Sequence, residues 1–132
     1  MTKTTEDTLQ RIEEKNLTID YNELFKEETS SNAIFLKFIK QCELGLKEFI
    51  QKENLKLICH FYIERDFEIR TWEKIILHIT FENNQLEFEE ILAMWDQIDK
   101  IIREKINQLL NKSQEPDREA IRNLNRKFFI DI

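Results

Sequence analysis

The clearest hydrophobic pattern in the chain is an alternation with a period of two over residues 55–69. Odd-numbered positions are apolar, with Arg65 as the exception, and even-numbered positions are mostly polar. Residues 72–82 repeat the pattern, with apolar side chains at Ile75, Leu77, Ile79 and Phe81. Since successive side chains of a strand point to opposite faces, both segments are predicted to be half-buried strands. An antiparallel hairpin that turns near Ile69 is their simplest pairing.

Elsewhere the apolar residues recur every three or four positions, which is the spacing of an amphipathic helix. One helix is predicted from about Asn32 to Lys52, after the candidate N-cap oxygens of residues 29–31. A second is predicted from about Leu86 to Lys112 and a third from Pro116, a residue that favours the first turn. The pattern therefore places one long helix before the hairpin and two helices after it, and Leu9 and Ile12 could lie on a further short helix near the N-terminus.

The long helix predicted after the hairpin carries an apolar stripe that includes Phe88, Leu92 and Trp95. This stripe should lie across the odd-numbered face of the hairpin. Gly45 lies inside the preceding helix, where glycine costs about 1 kcal/mol relative to alanine. It indicates either the close approach of another element or a neutral weak point.

These elements predict an α+β fold in the order α-α-β-β-α-α, with a small antiparallel hairpin or sheet packed against long amphipathic helices. A length of 132 residues suits a single domain, 1–132. Residues 1–28 are acid-rich and poorly patterned, and we expect a partly ordered N-terminal extension there. Two strands alone are marginally stable. The segments 17–21 and 128–132 are the parts of this chain that could extend the sheet, and a second protomer is the alternative.

Composition narrows the classes of function. The formal net charge of −6 disfavours non-specific binding of nucleic acid and favours a basic partner protein. A single Gly and a single Pro argue against phosphate-binding loops, and no catalytic or cofactor-binding set of residues can be assembled from spacing. Cys42 and Cys59 fall on apolar faces and are predicted to be buried free thiols. Without a signal peptide or an apolar run that spans a bilayer, a cytoplasmic protein is expected.

Two sets of polar residues are candidates for chemistry. His60 and His78 lie on the even-numbered face of the predicted hairpin, with Glu64 and Asp66 nearby. Two imidazoles beside carboxylates can bind a divalent metal, so a small metal-dependent hydrolase or nuclease is one hypothesis. The competing interpretation is a pair of exposed strand histidines, with no resident metal.

Arginines recur every four residues on the last predicted helix and form a basic stripe of Arg118, Arg122 and Arg126. Such a stripe can contact phosphates, so a nucleic-acid-associated regulator is another hypothesis. The chain offers no aromatic platform beside it and is acidic as a whole. Pairing with acidic segments of this chain or of a neighbour is therefore favoured.

The even-numbered face of the hairpin also carries apolar side chains, namely Ile58, Tyr62, Trp72 and Ile76. A mixed face with aromatic residues is typical of an interface, and cover by the N-terminal segment or by the C-terminal tail is the alternative. The leading hypothesis is a small acidic protein–protein interaction module without a cofactor. It would serve as a non-catalytic subunit, an adaptor or an antitoxin-like inhibitor of a basic partner, as a homodimer or in an obligate complex.

Overall fold

The computed structural model describes residues 9–53, 55–65, 73–82 and 85–132, which form five strands and four helices. The strands are β1 (Ile12–Glu14), β2 (Leu17–Tyr21), β3 (Leu57–Arg65), β4 (Glu73–Phe81) and β5 (Phe128–Asp131). The helices are α1 (Glu23–Ser31), α2 (Ala33–Lys52), α3 (Phe88–Lys112) and α4 (Asp117–Lys127). The α+β class is therefore confirmed.

The five strands form one mixed sheet in the order β1-β2-β3-β4-β5. The predicted hairpin is present as the antiparallel pair β3–β4, in which Cys59 lies opposite Ile79. The pair β1–β2 is also antiparallel, whereas β2–β3 and β4–β5 are parallel. Parallel neighbours need a long crossover connection. Helices α1 and α2 provide it for the first parallel pair, and α3 and α4 provide it for the second.

The predicted order α-α-β-β-α-α is wrong at both ends of the chain, because the described order is β-β-α-α-β-β-α-α-β. Both segments that were candidates to extend the sheet do so: β2 pairs with β3, and β5 pairs with β4. The cap of α2 also differs from the prediction. Residues 29–31 belong to the end of α1, and the Asn32 side chain instead accepts hydrogen bonds from the backbone N–H groups of Ile34 and Phe35.

The helices pack on one face of the sheet, which carries the odd-numbered residues of β3 and β4. All four helices contribute to a single buried cluster on this face, for example through Phe25, Leu46, Ile102 and Ile121. The Phe25 ring packs against Tyr21 and Phe61, which pair across β2 and β3. Cys42 and Cys59 are buried free thiols, as predicted.

At Gly45 the helices α2 and α3 lie too close together for a side chain to fit without a shift. A Cβ atom added to Gly45 would lie 2.8 Å from Ile102 Cγ1 and 3.2 Å from Ile102 Cα. The second contact is with backbone, so a rotamer change alone cannot relieve it. The interpretation of Gly45 as a site of close approach is confirmed.

We expect Gly45→Ala to lower the free energy of unfolding by about 1–2 kcal/mol. Alanine gains about 1 kcal/mol of helix propensity. Overpacking typically costs about 1–3 kcal/mol and should exceed that gain here, because backbone is involved. Urea denaturation measures the difference, and a double-mutant cycle with Ile102→Ala provides the control, since the second change removes Cγ1. A variant more stable than wild type, or two fully additive changes, would contradict the close contact.

The apolar stripe of α3 is longer than the layer it covers. Ile98, Ile102 and Ile106 are buried as expected, but Phe88 and Leu92 are 68% and 40% exposed, which corrects the prediction that they pack on the hairpin. The 25 residues of α3 span about 37 Å, whereas the nine residues of β4 span about 30 Å. The first turns of α3 therefore extend past the buried layer. Trp95 is only partly buried.

Candidate protein-interaction surface

The second face of the sheet, here called the open face, carries the even-numbered residues of β3 and β4. In the described part of the chain, no helix packs on it. The buried cluster includes residues of all four helices but none of Ile58, Tyr62 and Ile76. The N-terminal segment and the C-terminal tail were the candidates to cover this face. Their described strands β2 and β5 instead lie beside the hairpin in the sheet. The open face is thus the surface of a five-stranded sheet rather than the surface of a hairpin.

An apolar row crosses the open face from β3 to β5. Tyr62 lies opposite Ile76, and Ile76 lies opposite Phe129. Directly opposite side chains are in contact range, with Cβ atoms about 5 Å apart. Ile76 is only 7% exposed although it lies outside the buried cluster of the helical face. Phe129 is 46% exposed, and the Lys74 ammonium lies 5.6 Å from its ring centre. The three residues of this row form a small apolar patch on the surface, whereas Ile58 lies opposite Thr80 and is separated from the patch by His60.

A polar row runs parallel to the apolar one and consists of Asp20, His60, His78 and Asp131. The predicted opposition of His60 and His78 is confirmed. His78 Nδ1 lies 3.3 Å from the Asp131 carboxylate, and the Asp20 carboxylate lies 3.1 Å from the Arg11 guanidinium. The His60 ring stacks on Tyr62 with 5.8 Å between centres. Each member of the polar row is therefore held by a neighbour on the same face.

The structure does not bring Glu64 beside the two histidines. Glu64 lies opposite Lys74 rather than beside the histidines, and Asp66 falls outside the described residues. Within the ranges that the structure describes, no group of three or more His, Cys, Asp or Glu side chains is placed to hold a metal ion. The described arrangement around the two histidines is a row of pairs across four strands.

Two of the three arginines of the basic stripe are held by nearby side chains, while the buried Nε of Arg118 has no hydrogen-bond partner in the described part of the chain. Arg122 forms ion pairs with Glu119 at 3.0 Å and with Glu115 at 3.2 Å, and these hydrogen bonds raise the pKa of Arg122. Arg126 donates to the Asn123 side chain at 3.0 Å, and Arg118 is half-buried. The stripe therefore presents less free charge than its spacing indicates.

The outer edge of β5 is occupied by side chains of α3. Arg103 Nη2 donates to the Phe128 carbonyl at 2.8 Å, and Trp95 Nε1 donates to the Ile130 carbonyl at 2.8 Å. An unpaired strand edge otherwise offers such groups to another strand. Two acceptors of this edge are already satisfied, so the open face is a better docking surface than the edge of β5.

Sequence reasoning identified part of the open face. Ile58 and Tyr62 are half-buried there and Ile76 is buried, while Trp72 falls outside the described residues. It missed Phe129, Asp20 and Asp131, which reach the face through β2 and β5. The signal for Phe129 was the strand-like run at the end of the chain. Which residues of this run face the open side of the sheet can be decided only once its pairing with β4 is known.

No protein-family model matches the chain, and comparisons with curated proteins and with solved structures find no match either. None of the described helices is long and apolar enough to cross a membrane.

Proposed function

We propose that the protein is a non-catalytic protein–protein interaction module that binds a basic partner protein on its open sheet face. The burial of Ile76 carries the proposal. This residue is shielded on a face without helical cover, and its direct neighbours across the strands are Tyr62 and Phe129. Interface cores are enriched in aromatic residues and depleted of charge, with a polar rim around them. The apolar row and the polar row have this arrangement.

The charges around the patch favour a basic partner. The described carboxylates of the open face are Glu13, Asp20, Glu64 and Asp131. The cations beside them are partly engaged: Arg11 pairs with Asp20, and Lys74 lies over the Phe129 ring. The net charge of −6 has the same sign. Complementary charge mainly raises the association rate and the specificity, while the apolar row would supply most of the affinity.

The proposal is tested by changing the centre of the open face. Tyr62→Asp combined with Phe129→Asp should abolish binding, because both carboxylates would be buried without partners at the contact. The matched control is Leu44→Asp, which alters a 50% exposed apolar residue of α2 away from the sheet. Quantitative mass spectrometry after crosslinking identifies proteins retained by wild type and by the control but lost with the double variant. Thermal melts of all three chains exclude unfolding as the cause.

The decisive measurement uses purified components. A candidate partner should be basic and should bind wild type in titration calorimetry, with Kd at least about 30-fold weaker for the open-face variant, the effect expected on losing a binding hot spot. Binding of the Leu44→Asp control should match wild type. Equal affinity for the open-face and control variants, or no binding between the purified proteins, would contradict the proposal.

A further inference from the structure

The first turns of α3 form an exposed apolar and acidic surface, here called the knob. It consists of Phe88 and Leu92, which are 68% and 40% exposed, together with the carboxylates of Glu89 and Asp96. Residues four apart lie on the same side of a helix, so the two apolar side chains are neighbours. In the part of the chain that the structure describes, Glu89 has no hydrogen bond or ion pair, and Asp96 pairs only with Lys100. The knob belongs to neither the buried cluster nor the open face.

A groove of opposite charge lies between α2 and the end of α3. Its volume is about 440 Å³, and Leu36 and Leu109 line it together with three lysines, Lys37, Lys40 and Lys112. No carboxylate is among its lining residues. Lys40 is 3.5 Å from Glu43, whereas Lys37 and Lys112 form no ion pair within the described ranges. In a chain with a net charge of −6, this groove is a local reversal of charge.

We propose that the knob of one copy of this chain docks into the groove of a second copy. The apolar pair of the knob would cover Leu36 and Leu109, and the carboxylates of the knob would meet Lys37 and Lys112. The groove lies within the roughly 300–1,000 Å³ range of binding pockets and is large enough for two apolar side chains. Ion pairs at the rim would set the register, and Phe88 would supply the buried anchor.

A chain cannot fill its own groove in this way. Phe88 and Lys112 stand at opposite ends of α3, about 36 Å apart along the helix axis. The contact therefore joins two different surfaces of two copies, which is a head-to-tail association. It uses neither the apolar row nor the polar row of the open face, and it is independent of the partner proposed above.

Charge exchange between the two surfaces tests the proposal. One variant carries Glu89→Lys with Asp96→Lys, and the other carries Lys37→Glu with Lys112→Glu. Each variant alone places like charges on both surfaces and should sediment as a 16.2 kDa monomer at concentrations where wild type associates. In an equimolar mixture, every knob–groove contact between the two different variants pairs opposite charges, so the weight-average mass should rise again. Analytical ultracentrifugation from about 5 to 500 µM at low salt measures all four samples.

The apolar part of the contact has its own matched pair of variants. Phe88→Ser should weaken association at least about tenfold and leave the melting temperature unchanged, because the side chain is largely exposed. Leu44→Ser, at another exposed apolar position, should associate like wild type. A wild-type chain that stays monomeric up to 500 µM, a mixture that stays monomeric, or equal association by Phe88→Ser and wild type would each overturn the proposal. The open-face variant Tyr62→Asp/Phe129→Asp should associate normally, which separates this proposal from the previous one.

Discussion

Raising the pH from 9 to about 10.5 should lower the free energy of unfolding by about 3 kcal/mol through two buried thiols. Burial raises the pKa of the Cys59 thiol from 9.0 to about 12, and burial also raises the pKa of Cys42 well above its usual range. Both thiols stay protonated in the folded chain and ionise when it unfolds. Their contribution is complete below about pH 9 and is lost as the pH rises towards the folded pKa. Each thiol lowers the free energy of unfolding by about 1.4 kcal/mol per pH unit once the pH is well above 9, and by about half as much per unit at pH 9, where the unfolded thiol is half ionised.

Tyr21 should also lower the free energy of unfolding as the pH rises, but at a higher pH than the thiols. Burial, followed by the nearby Glu43 carboxylate that accepts its hydrogen bond, raises the pKa of Tyr21 above the ordinary value of 10.0. Above pH 10 the ionisation of this hydroxyl in the unfolded chain should make the free energy of unfolding fall more steeply with pH. The free energy of unfolding of a natural domain is about 5–15 kcal/mol in total, so global unfolding is expected within the accessible alkaline range.

Urea denaturation at pH 8, 9, 10 and 10.5, monitored by circular dichroism, measures this dependence. The control is the double variant Cys42→Ala with Cys59→Ala. It should be less stable at pH 8 because two buried sulfur atoms are lost, but its stability should fall much less between pH 9 and 10. If the slope is the same with and without the cysteines, the buried thiols do not cause the alkaline loss.

Arg103→Met should lower the free energy of unfolding by about 2–4 kcal/mol and loosen β5 in particular. Arg103 donates to the carbonyls of Phe128 and Asn125 at 2.8 and 3.1 Å, pairs with Asp99 at 3.2 Å, and lies 5.0 Å from the centre of the Phe128 ring. Methionine keeps an apolar side chain of similar length but has no donor. The variant leaves the carbonyls without their charged donor, and a hydrogen bond to a charged group contributes about 1.5–3 kcal/mol.

The matched control for Arg103→Met is Arg122→Met on α4. Arg122 makes exposed ion pairs with Glu119 of α4 and with Glu115 just before α4, and such surface pairs contribute at most about 1 kcal/mol. Hydrogen exchange should show faster exchange of the β5 amides in Arg103→Met, with β3 amides little changed. Equal destabilisation by the two variants, or unchanged protection of β5, would show that the Arg103 contacts do not hold the edge strand.

The elements predicted well from sequence are those long enough to repeat the hydrophobic pattern several times. Strands β3 and β4 have nine residues each, and the midpoint of their pattern near Ile69 places His60 opposite His78, as found. The apolar stripe of α3 likewise predicted correctly that this helix ends at Lys112. In contrast, β1, β2 and β5 have three, five and four residues, too few for an alternation to be distinguished from irregular structure.

The candidate sites show the same limit. The alternation of side chains along β3 and β4 is visible in the local sequence, so it placed Ile58, Tyr62 and Ile76 on one face correctly. Phe129 joins that face only through parallel pairing with β4, which depends on contacts distant in sequence. The exposure of Phe88 was missed because helical periodicity shows which side chains share a side of a helix, but not where the neighbouring layer ends.

The direction of the two parallel crossovers has a consequence for the handedness of the fold. The connection from β2 to β3 and that from β4 to β5 step the same way across the sheet, and their helices pack on the same face. The two strand pairs point in opposite directions, since β3 and β4 are antiparallel. The two crossovers must therefore have opposite hands, and one of them is left-handed. Strand twist favours right-handed crossovers in about 98% of cases, so the left-handed one must be held in place by its side-chain packing.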